Sequence, residues 1–160
     1  MTYSVRPATV SDLDKLVQFT IAEAVDAEGS EIGANVREGV LTALEDNSFA
    51  TYWVLECAGE VIGNVSVVKE WSDWNAGYYW WIQSMYIEPG HRGKGLIKLL
   101  IGAVQEQAGK ARALELRLYV HKDNSAAIRA YRKNGFGSSD YQIMTMEVAA
   151  PAGSSVLPEV

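Results

Sequence analysis

Residues 85–97 join a strand-like run directly to an amphipathic helix, and this join limits the possible folds more than any other feature of the chain. The run from Met85 to Ile87 ends at Pro89-Gly90, and the loop HRGKG at 91–95 then leads into a helix expected from about Lys94. The first N–H groups of a helix lack internal acceptors, and glycine lets a ligand approach them closely. The join therefore predicts an anion site of the kind that holds a pyrophosphate.

Two better-known phosphate motifs do not fit the spacing of this loop. A P-loop needs G-x-x-x-x-G-K-[S/T], but Glu88 stands at its first glycine and Gly95 follows Lys94. The dinucleotide fingerprint G-x-G-x-x-G needs glycine where this chain has Lys98. Taken alone, the loop leaves one structural alternative, a surface turn before a basic helix start.

Strand-like and helix-like segments alternate along the chain up to residue 148. The expected strands are 3–6, 50–57, 60–69, 78–87, 114–120 and 141–148. Helices are expected to begin at Thr9 or Ser11, near Asn35, near Lys94, and at Asn124 or Ser125. Residues 71–77 are expected to form a loop, and 149–160, which are small and rich in helix breakers, a flexible tail. This order predicts one mixed α/β domain over residues 1–148.

Composition excludes several classes of function. The chain has 160 residues, 48% of them hydrophobic and 21% charged, which is ordinary for a globular domain. No apolar run approaches the ~18 residues of a membrane span and no signal pattern opens the chain, so we expect a cytoplasmic protein without a membrane role. A net charge of −6 argues against nucleic-acid binding. The single Cys57 lies in an apolar run and is expected in the core rather than as a nucleophile, and no His/Cys/Asp/Glu cluster has metal-ligand spacing.

A second segment, residues 120–136, joins a strand to a short helix and ends in Gly-Phe. Asn124 stands at the expected helix start, and Tyr131 follows seven residues later. With Arg92 and Gly95 in the spacing [R/Q]-x-x-G-x-[G/A], the two segments together resemble the GCN5-related N-acetyltransferase (GNAT) superfamily, although Ile97 departs from the final small residue of that motif. The resemblance implies a mostly antiparallel central sheet flanked by helices.

The same resemblance implies a reaction and a co-substrate. A primary amine would attack the thioester of acetyl-CoA directly and release CoA. The backbone N–H of Met85 would stabilise the oxyanion, and Tyr131 would protonate the leaving thiolate. The residues expected along acetyl-CoA are Met85, Tyr86, Ile87, Arg92, Gly93, Lys94, Gly95, Leu96, Ile97, Lys98, Asn124 and Tyr131.

The acceptor and the general base are less defined. Some members of the superfamily place a glutamate nine residues before the loop arginine as base, but that position here is Gln83. Glu70, Asp73 or Glu88, acting through water, are the alternatives. The acceptor is expected to be a small-molecule or peptide amine, held by aromatic and polar side chains before and within the central strand. The residues expected to contact it are Trp71, Asp73, Trp74 and Gln83.

Structural alternatives stand beside these roles. Tyr131 could also be an aromatic residue of the core, and Asn124 could be only a helix cap. His91 and His121 could be solvated loop residues, and the tryptophans could pack within strands. Gln83 and Ile97 depart from the family pattern, so a regulatory module that binds acetyl-CoA without transferring the acetyl group is an alternative function. The tryptophan-rich residues 71–81 leave a second alternative, an interaction protein. The sequence leaves open the identity of the acceptor and whether the chain forms a homodimer.

Overall fold

The computed structural model describes residues 1–28 and 34–151. Within these residues, the strands are β1 (Tyr3–Pro7), β2 (Thr51–Cys57), β3 (Glu60–Ser72), β4 (Gly77–Ile87) and β5 (Glu115–Leu118). The helices are α1 (Leu13–Glu28), α2 (Val36–Glu45), α3 (Ile97–Lys110) and α4 (Ser125–Lys133). Short 3₁₀ turns at Val10–Asp12 and Pro89–His91 precede α1 and follow β4. Among the helices so described, none combines the length and apolar character needed to cross a membrane.

The strands form one sheet in chain order, which confirms the predicted, mostly antiparallel architecture. Strands β1 to β4 pair antiparallel, whereas β5 returns through α3 and pairs parallel to β4. The β3–β4 register shifts between the pairs Ser66–Ser84 and Val67–Ile82, so Gln83 is an extra residue on β4. Such a bulge bends its strand and re-aims the residues beside it. The contact with β5 stops at Ile82, so residues 83–87 form an open edge of β4.

Apolar side chains of the sheet alternate between two layers of helices, as a period of two requires. On β2, Trp53, Leu55 and Cys57 pack on the side of α3, while Val54 packs with residues of α1 and α2 on the other side. Cys57 is buried, as expected for a core residue. Helix α3 covers its face of the sheet with Leu100, Ile101, Val104 and Ala108.

Two predicted elements were wrong in extent or kind. Trp71 lies on β3 rather than in a loop, because the hairpin continues through the pairs Trp71–Tyr78 and Ser72–Gly77. The Trp71 and Tyr78 rings lie 5.1 Å apart, and an aromatic cross-strand contact of this kind stabilises the added pairs. The predicted strand 141–148 is irregular, and its Ile143 and Met144 are 64% and 93% exposed. Residues with high β propensity favour an extended chain but do not provide a partner strand. A strand without a hydrogen-bonded partner is not stable. Residues 152–160 of the predicted tail lie outside the described residues.

A buried carboxylate fixes the entry into α1. Asp12 is 6% exposed and forms a two-pronged ion pair with Arg6, with both N–O distances 2.9 Å. It also accepts the backbone N–H of Thr9 at 2.8 Å, which closes the turn before the helix. The hydrogen bonds from Arg6 are the main reason that the pKa of Asp12 is lowered. They bind β1 to the start of α1.

We expect Asp12→Asn to lower the free energy of unfolding at pH 7 by about 1–3 kcal/mol, because a charge-assisted, partly buried pair is weakened. A carboxyl with a depressed folded pKa stabilises the protein above its unfolded pKa of ~3.9 and loses that contribution as pH falls through the folded value. Urea unfolding curves of wild type and variant should therefore converge in acid. Asp14→Asn, at a carboxylate whose side chain is 78% exposed, is the control and should cost under ~0.5 kcal/mol. Curves that stay parallel from pH 7 to pH 2 would contradict the assignment.

Candidate active site

A cavity of about 720 Å³ lies between the open edge of β4, the loop before α3, the start of α4 and one side of α1. Eleven of the twelve residues predicted to line acetyl-CoA line this cavity: Met85, Tyr86, Ile87, Arg92, Gly93, Gly95, Leu96, Ile97, Lys98, Asn124 and Tyr131. The two sequence segments that carried the resemblance, 85–97 and 120–136, therefore meet in space. Glu23 and Asp26 of α1 line the same cavity and were not predicted.

The loop before α3 has the backbone geometry that an anion requires. Gly93 and Gly95 have φ values of +75° and +72°, a region that other residues rarely adopt, and no atom lies within 4 Å of a Cβ built on either. This conformation delays the regular helix to Ile97, three residues later than predicted. In the described part of the chain, no protein acceptor binds the N–H groups of residues 93–97, and Leu96 at the N-cap makes no side-chain cap. These amides, at the positive end of the helix dipole, can bind a phosphate.

Arg92 is held at the border between β4 and this loop. Its Nε donates to the carbonyl oxygen of Ile87 at 2.7 Å, and its Nη2 pairs with Asp26 at 2.8 Å. The guanidinium carbon also lies 5.1 Å from the ring centre of Tyr86. Lys94 is the exception among the predicted cofactor residues, because its ammonium lies 3.4 Å from the hydroxyl of Tyr3 and it does not line the cavity.

Asn124, one of the two predicted caps, is the N-cap of helix α4, which presents Tyr131 to the cavity. The Asn124 side chain accepts the N–H of Ala127 at 3.2 Å, and Gly135 ends the helix with a φ of +95°. Tyr131 is partly buried against the main core and contacts the ring of Phe136 edge-on at 6.0 Å. Burial, followed by the nearby charge of Glu23, raises the pKa of Tyr131 to about 12. The phenol is therefore fully protonated at neutral pH and can donate a hydrogen bond into the cavity.

The backbone N–H of Met85 points from the open edge of β4 to α1. It donates to Oε1 of Glu23 at 3.0 Å. The carbonyl of Ile87, two residues on, accepts from Arg92. The Met85 N–H and the Ile87 carbonyl of the open edge are therefore hydrogen-bonded to the side chains of Glu23 and Arg92. A bound ligand can replace these side chains.

The comparisons with known proteins match this arrangement. The acetyltransferase (GNAT) family matches residues 18–136, which include both ends of the cavity. The chain belongs to this family.

Relatives of the GNAT domain agree with the match. A streptothricin acetyltransferase of Streptomyces lavendulae is 32% identical over 109 residues, which cover 68% of this chain and 53% of the relative, so the chain spans about half the length of that curated protein. A possible acetyltransferase from Clostridium difficile 630 is 30% identical, with a TM-score of 0.86 over 94% of this chain and 100% of the other. A predicted acetyltransferase from Clostridium acetobutylicum, solved with acetyl-CoA, shares the fold at 21% identity, with a TM-score of 0.75 over 91% and 96% of the two chains.

The residues predicted to hold the acceptor do not line this cavity of the GNAT domain. Trp74 is 87% exposed in the turn between β3 and β4, and Gly77, at the start of β4, is eight residues from Met85. At about 3.3 Å per residue, this end of the hairpin is roughly 25 Å from Met85. Gln83 is exposed at the bulge, and Trp71 and Asp73 lie at the hairpin end.

Of the three carboxylates considered as bases, Asp73 lies in the turn after β3, and Glu70 and Glu88 contact other side chains. Glu88 pairs with Lys15 at 2.8 Å. Glu70 accepts the indole N–H of Trp81 at 3.1 Å and lies 3.7 Å from Arg117 on the far part of the sheet. Within residues 1–28 and 34–151, no group of three or more His, Cys, Asp or Glu side chains could hold a metal ion.

Proposed function

We propose that this chain is an N-acetyltransferase that moves the acetyl group of acetyl-CoA to a primary amine by direct attack. The observation that carries the proposal is one cavity that brings together Arg92, loop amides with no acceptor among the described residues, the Met85 N–H and Tyr131. This arrangement supports one elongated ligand, with an anionic group at the loop and a thioester near Met85. The GNAT relative solved with acetyl-CoA supports the choice of that ligand.

The loop residues would hold the pyrophosphate. Unbonded N–H groups of residues 93–97 supply donors, and Arg92 and Lys98 add positive charge at the cavity wall. The two glycines leave the space that the phosphate oxygens need. The side chain of Lys94 contacts Tyr3 instead, so we assign only its backbone N–H to this part of the site.

The open edge of β4 would hold the amide-bearing arm of the co-substrate. Residues 83–87 have no β5 neighbour, so an extended ligand can add to the edge as a further strand would. Met85 to Ile87 then define the direction of the arm, and Asn124 and Tyr131 of α4 close the opposite wall. The thioester would lie at the Met85 end.

Two groups of the protein would stabilise the negative charges that develop during the reaction. The Met85 N–H donates to the oxygen that becomes negative when the amine attacks the carbonyl carbon. As the carbon–sulfur bond breaks, the Tyr131 hydroxyl donates to the sulfur, which leaves with the electron pair of that bond.

We assign the acetyltransferase domain to residues 1–148 and place its activity in the cytoplasm.

We propose a small-molecule amine as acceptor. The similarity to a streptothricin acetyltransferase supports a small molecule, and Glu23 and Asp26 on the cavity wall favour a cationic one. The tryptophans of the β3–β4 turn have no support as acceptor contacts, because the hairpin carries them away from Met85.

The test is a panel of amines, including small polyamines, streptothricin-type and aminoglycoside compounds and N-terminal peptides, with release of free CoA thiol as the readout. We expect thiol release above the rate of hydrolysis with at least one cationic small molecule, and mass spectrometry should find the acceptor 42 Da heavier, the mass of an acetyl group minus hydrogen. Tight acetyl-CoA binding without transfer to any amine would favour the regulatory module instead. Failure to bind acetyl-CoA would overturn both functions.

A further inference from the structure

A buried polar pair joins β3 to the open edge of β4. Asn64 of β3 is 0% exposed and Ser84 of β4 is 7% exposed. The Nδ2 of Asn64 donates to the Oγ of Ser84 at 2.8 Å, and Ser84 is the residue before Met85. Val54, which is opposite Asn64 on β2, packs with α1 and α2, so the pair lies on that side of the sheet.

Stability alone does not explain why this pair is polar. The Oδ1 of Asn64 is buried, and no protein donor among the described residues reaches it. An unpaired buried acceptor costs more free energy than a typical hydrogen bond contributes, and a trapped water also has an entropic cost. Apolar groups of similar shape in place of both partners can be neutral or even stabilising. In other folds, the clearest role of such a buried polar group is to select one register.

The register near this pair changes at the bulge of β4. The cross-strand pairs Val67–Ile82 and Ser66–Ser84 flank the bulge, so Gln83 is an extra residue. Successive residues of a strand point to opposite faces, and their N–H groups point alternately to the two neighbouring strands. One extra residue therefore reverses the face and the N–H direction of every residue that follows it.

The bulge thus decides where the Met85 N–H points. Met85 is opposite Val65, and its N–H donates to Glu23 of α1 rather than to β3. Without the bulge, the pairing of the hairpin end would continue in phase, and Met85 would be opposite Asn64 with its N–H directed to β3. Ser84 would then be opposite Val65, and its hydroxyl would enter the apolar core on the α3 side.

We propose that Asn64 is a positioning residue of the acetyl transfer: its hydrogen bond to Ser84 holds the bulge that turns the Met85 N–H into the cavity. The inference rests on the proposed function, which uses this N–H to stabilise the oxyanion. In the shifted register, Ser84 would lose its donor and lie in an apolar core, so the pair disfavours the register in which the N–H points away from the ligand. Asn64 acts through the strand and does not contact the substrate.

The register can be measured by NMR in the free protein. Because the Met85 N–H points away from β3, Val65 and Met85 form a non-hydrogen-bonded pair, with Cα atoms ~4.5 Å apart. Their α-protons should therefore give a strong nuclear Overhauser effect. In the shifted register, this signal is lost and one between Asn64 and Met85 replaces it.

Two variants remove the pair. Ser84→Ala removes the acceptor, and an alanine is suited to the apolar core on the α3 side, so the shifted register is no longer disfavoured. The double variant Asn64→Leu/Ser84→Ala replaces both partners and leaves no buried polar group unpaired. We expect both variants to lose most of the Val65–Met85 signal, and the double variant to melt no lower than wild type. Loss of an oxyanion donor typically lowers kcat ~10²–10³-fold, so a partly shifted register should lower it at least ~10-fold.

Ser66→Ala is the matched control. It makes the same substitution at a serine that is 0% exposed and lies opposite Ser84, but whose hydroxyl makes no hydrogen bond to the pair. We expect this variant to keep the Val65–Met85 signal and to stay within ~3-fold of the wild-type kcat.

Three outcomes would overturn the assignment. The first is a double variant that keeps the Val65–Met85 signal at wild-type strength. The second is a shifted register with unchanged kcat, which would mean that the direction of the Met85 N–H does not affect the rate. The third is an equal loss of signal in Ser66→Ala, which would assign the effect to any buried substitution. A wild type that transfers to no amine would instead overturn the proposed function. The register measurement requires no activity, so the two failures are distinct.

Discussion

Gly95→Asp should weaken acetyl-CoA binding at least ~100-fold while the fold stays intact. Gly95 has a φ of +72° in the loop before α3, and no atom lies within 4 Å of a Cβ built there. A side chain added at Gly95 would enter the space in which we propose that the pyrophosphate binds. A carboxylate roughly 4 Å from a phosphate charge costs ~4 kcal/mol at an effective dielectric constant of ~20, and exposure to solvent lowers that figure. Half of that energy, ~2 kcal/mol, already corresponds to a ~30-fold loss of acetyl-CoA affinity. The added side chain also blocks the loop amides, which weakens binding further.

Calorimetric titration with acetyl-CoA measures this effect directly. Gly102→Asp is the matched control: it adds the same side chain to α3 at an exposed glycine whose φ is not positive and whose Cβ would meet nothing within 4 Å. We expect this control to keep wild-type affinity, and both variants to melt within a few degrees of wild type. Equal affinity of Gly95→Asp and wild type would remove the loop from the cofactor site.

Much of the local structure around the candidate cofactor site was predictable because it depends on residues close together in sequence. The strand, the two glycines and the helix start lie within residues 85–97, and each is required by backbone geometry rather than by distant packing. Asn124 as helix cap and Gly135 as helix end follow from the same local rules, and the structure confirms both positions. The mostly antiparallel sheet and its flanking helices followed from the resemblance, and the structure confirms them.

The acceptor side was less predictable because it depends on distance in space. Trp74 is close to β4 in sequence, but the hairpin is long and carries it away from Met85. Glu23 is far from Met85 in sequence, but the packing of α1 against β4 brings the two together. The available signal was a glutamate between two apolar residues of α1, Ile21 and Ala24. Nothing local indicates its partner.

The extent of the strands was also hard to predict from single segments. Residues 141–148 combine aromatic, β-branched and methionine side chains that favour a strand, yet strand formation also needs a neighbour with free hydrogen-bonding groups. The extra pairs of the β3–β4 hairpin came from a contact between Trp71 and Tyr78, which no single-strand pattern contains. In both cases, pairing decides the outcome, and pairing is a property of two segments.

Tyr131→Phe should lower kcat at least ~10-fold while acetyl-CoA binding and the melting temperature stay nearly unchanged. The substitution keeps the ring, and with it the contact with Phe136 and the packing against the core, and removes only the hydroxyl. A thiol has a pKa of ~8.5, so its thiolate can leave without an acid, but charge that builds on sulfur is stabilised by a donor. A positioned acid typically contributes ~10²–10⁴-fold, so ~10-fold is a lower bound.

The ionisation of Tyr131 supplies a second readout. Burial and then the charge of Glu23 raise its pKa to about 12, so the folded state holds the proton more tightly than the unfolded state does. This stabilising contribution is complete below the ordinary tyrosine pKa of ~10 and is lost as pH rises to about 12. The Phe variant should therefore lose less stability than wild type over that interval. Tyr119→Phe, at a 61% exposed ring stacked on Trp81 away from the cavity, should leave kcat unchanged. A Tyr131→Phe enzyme with normal kcat, when chemistry limits the rate, would make Tyr131 a core aromatic and leave water as the donor to sulfur.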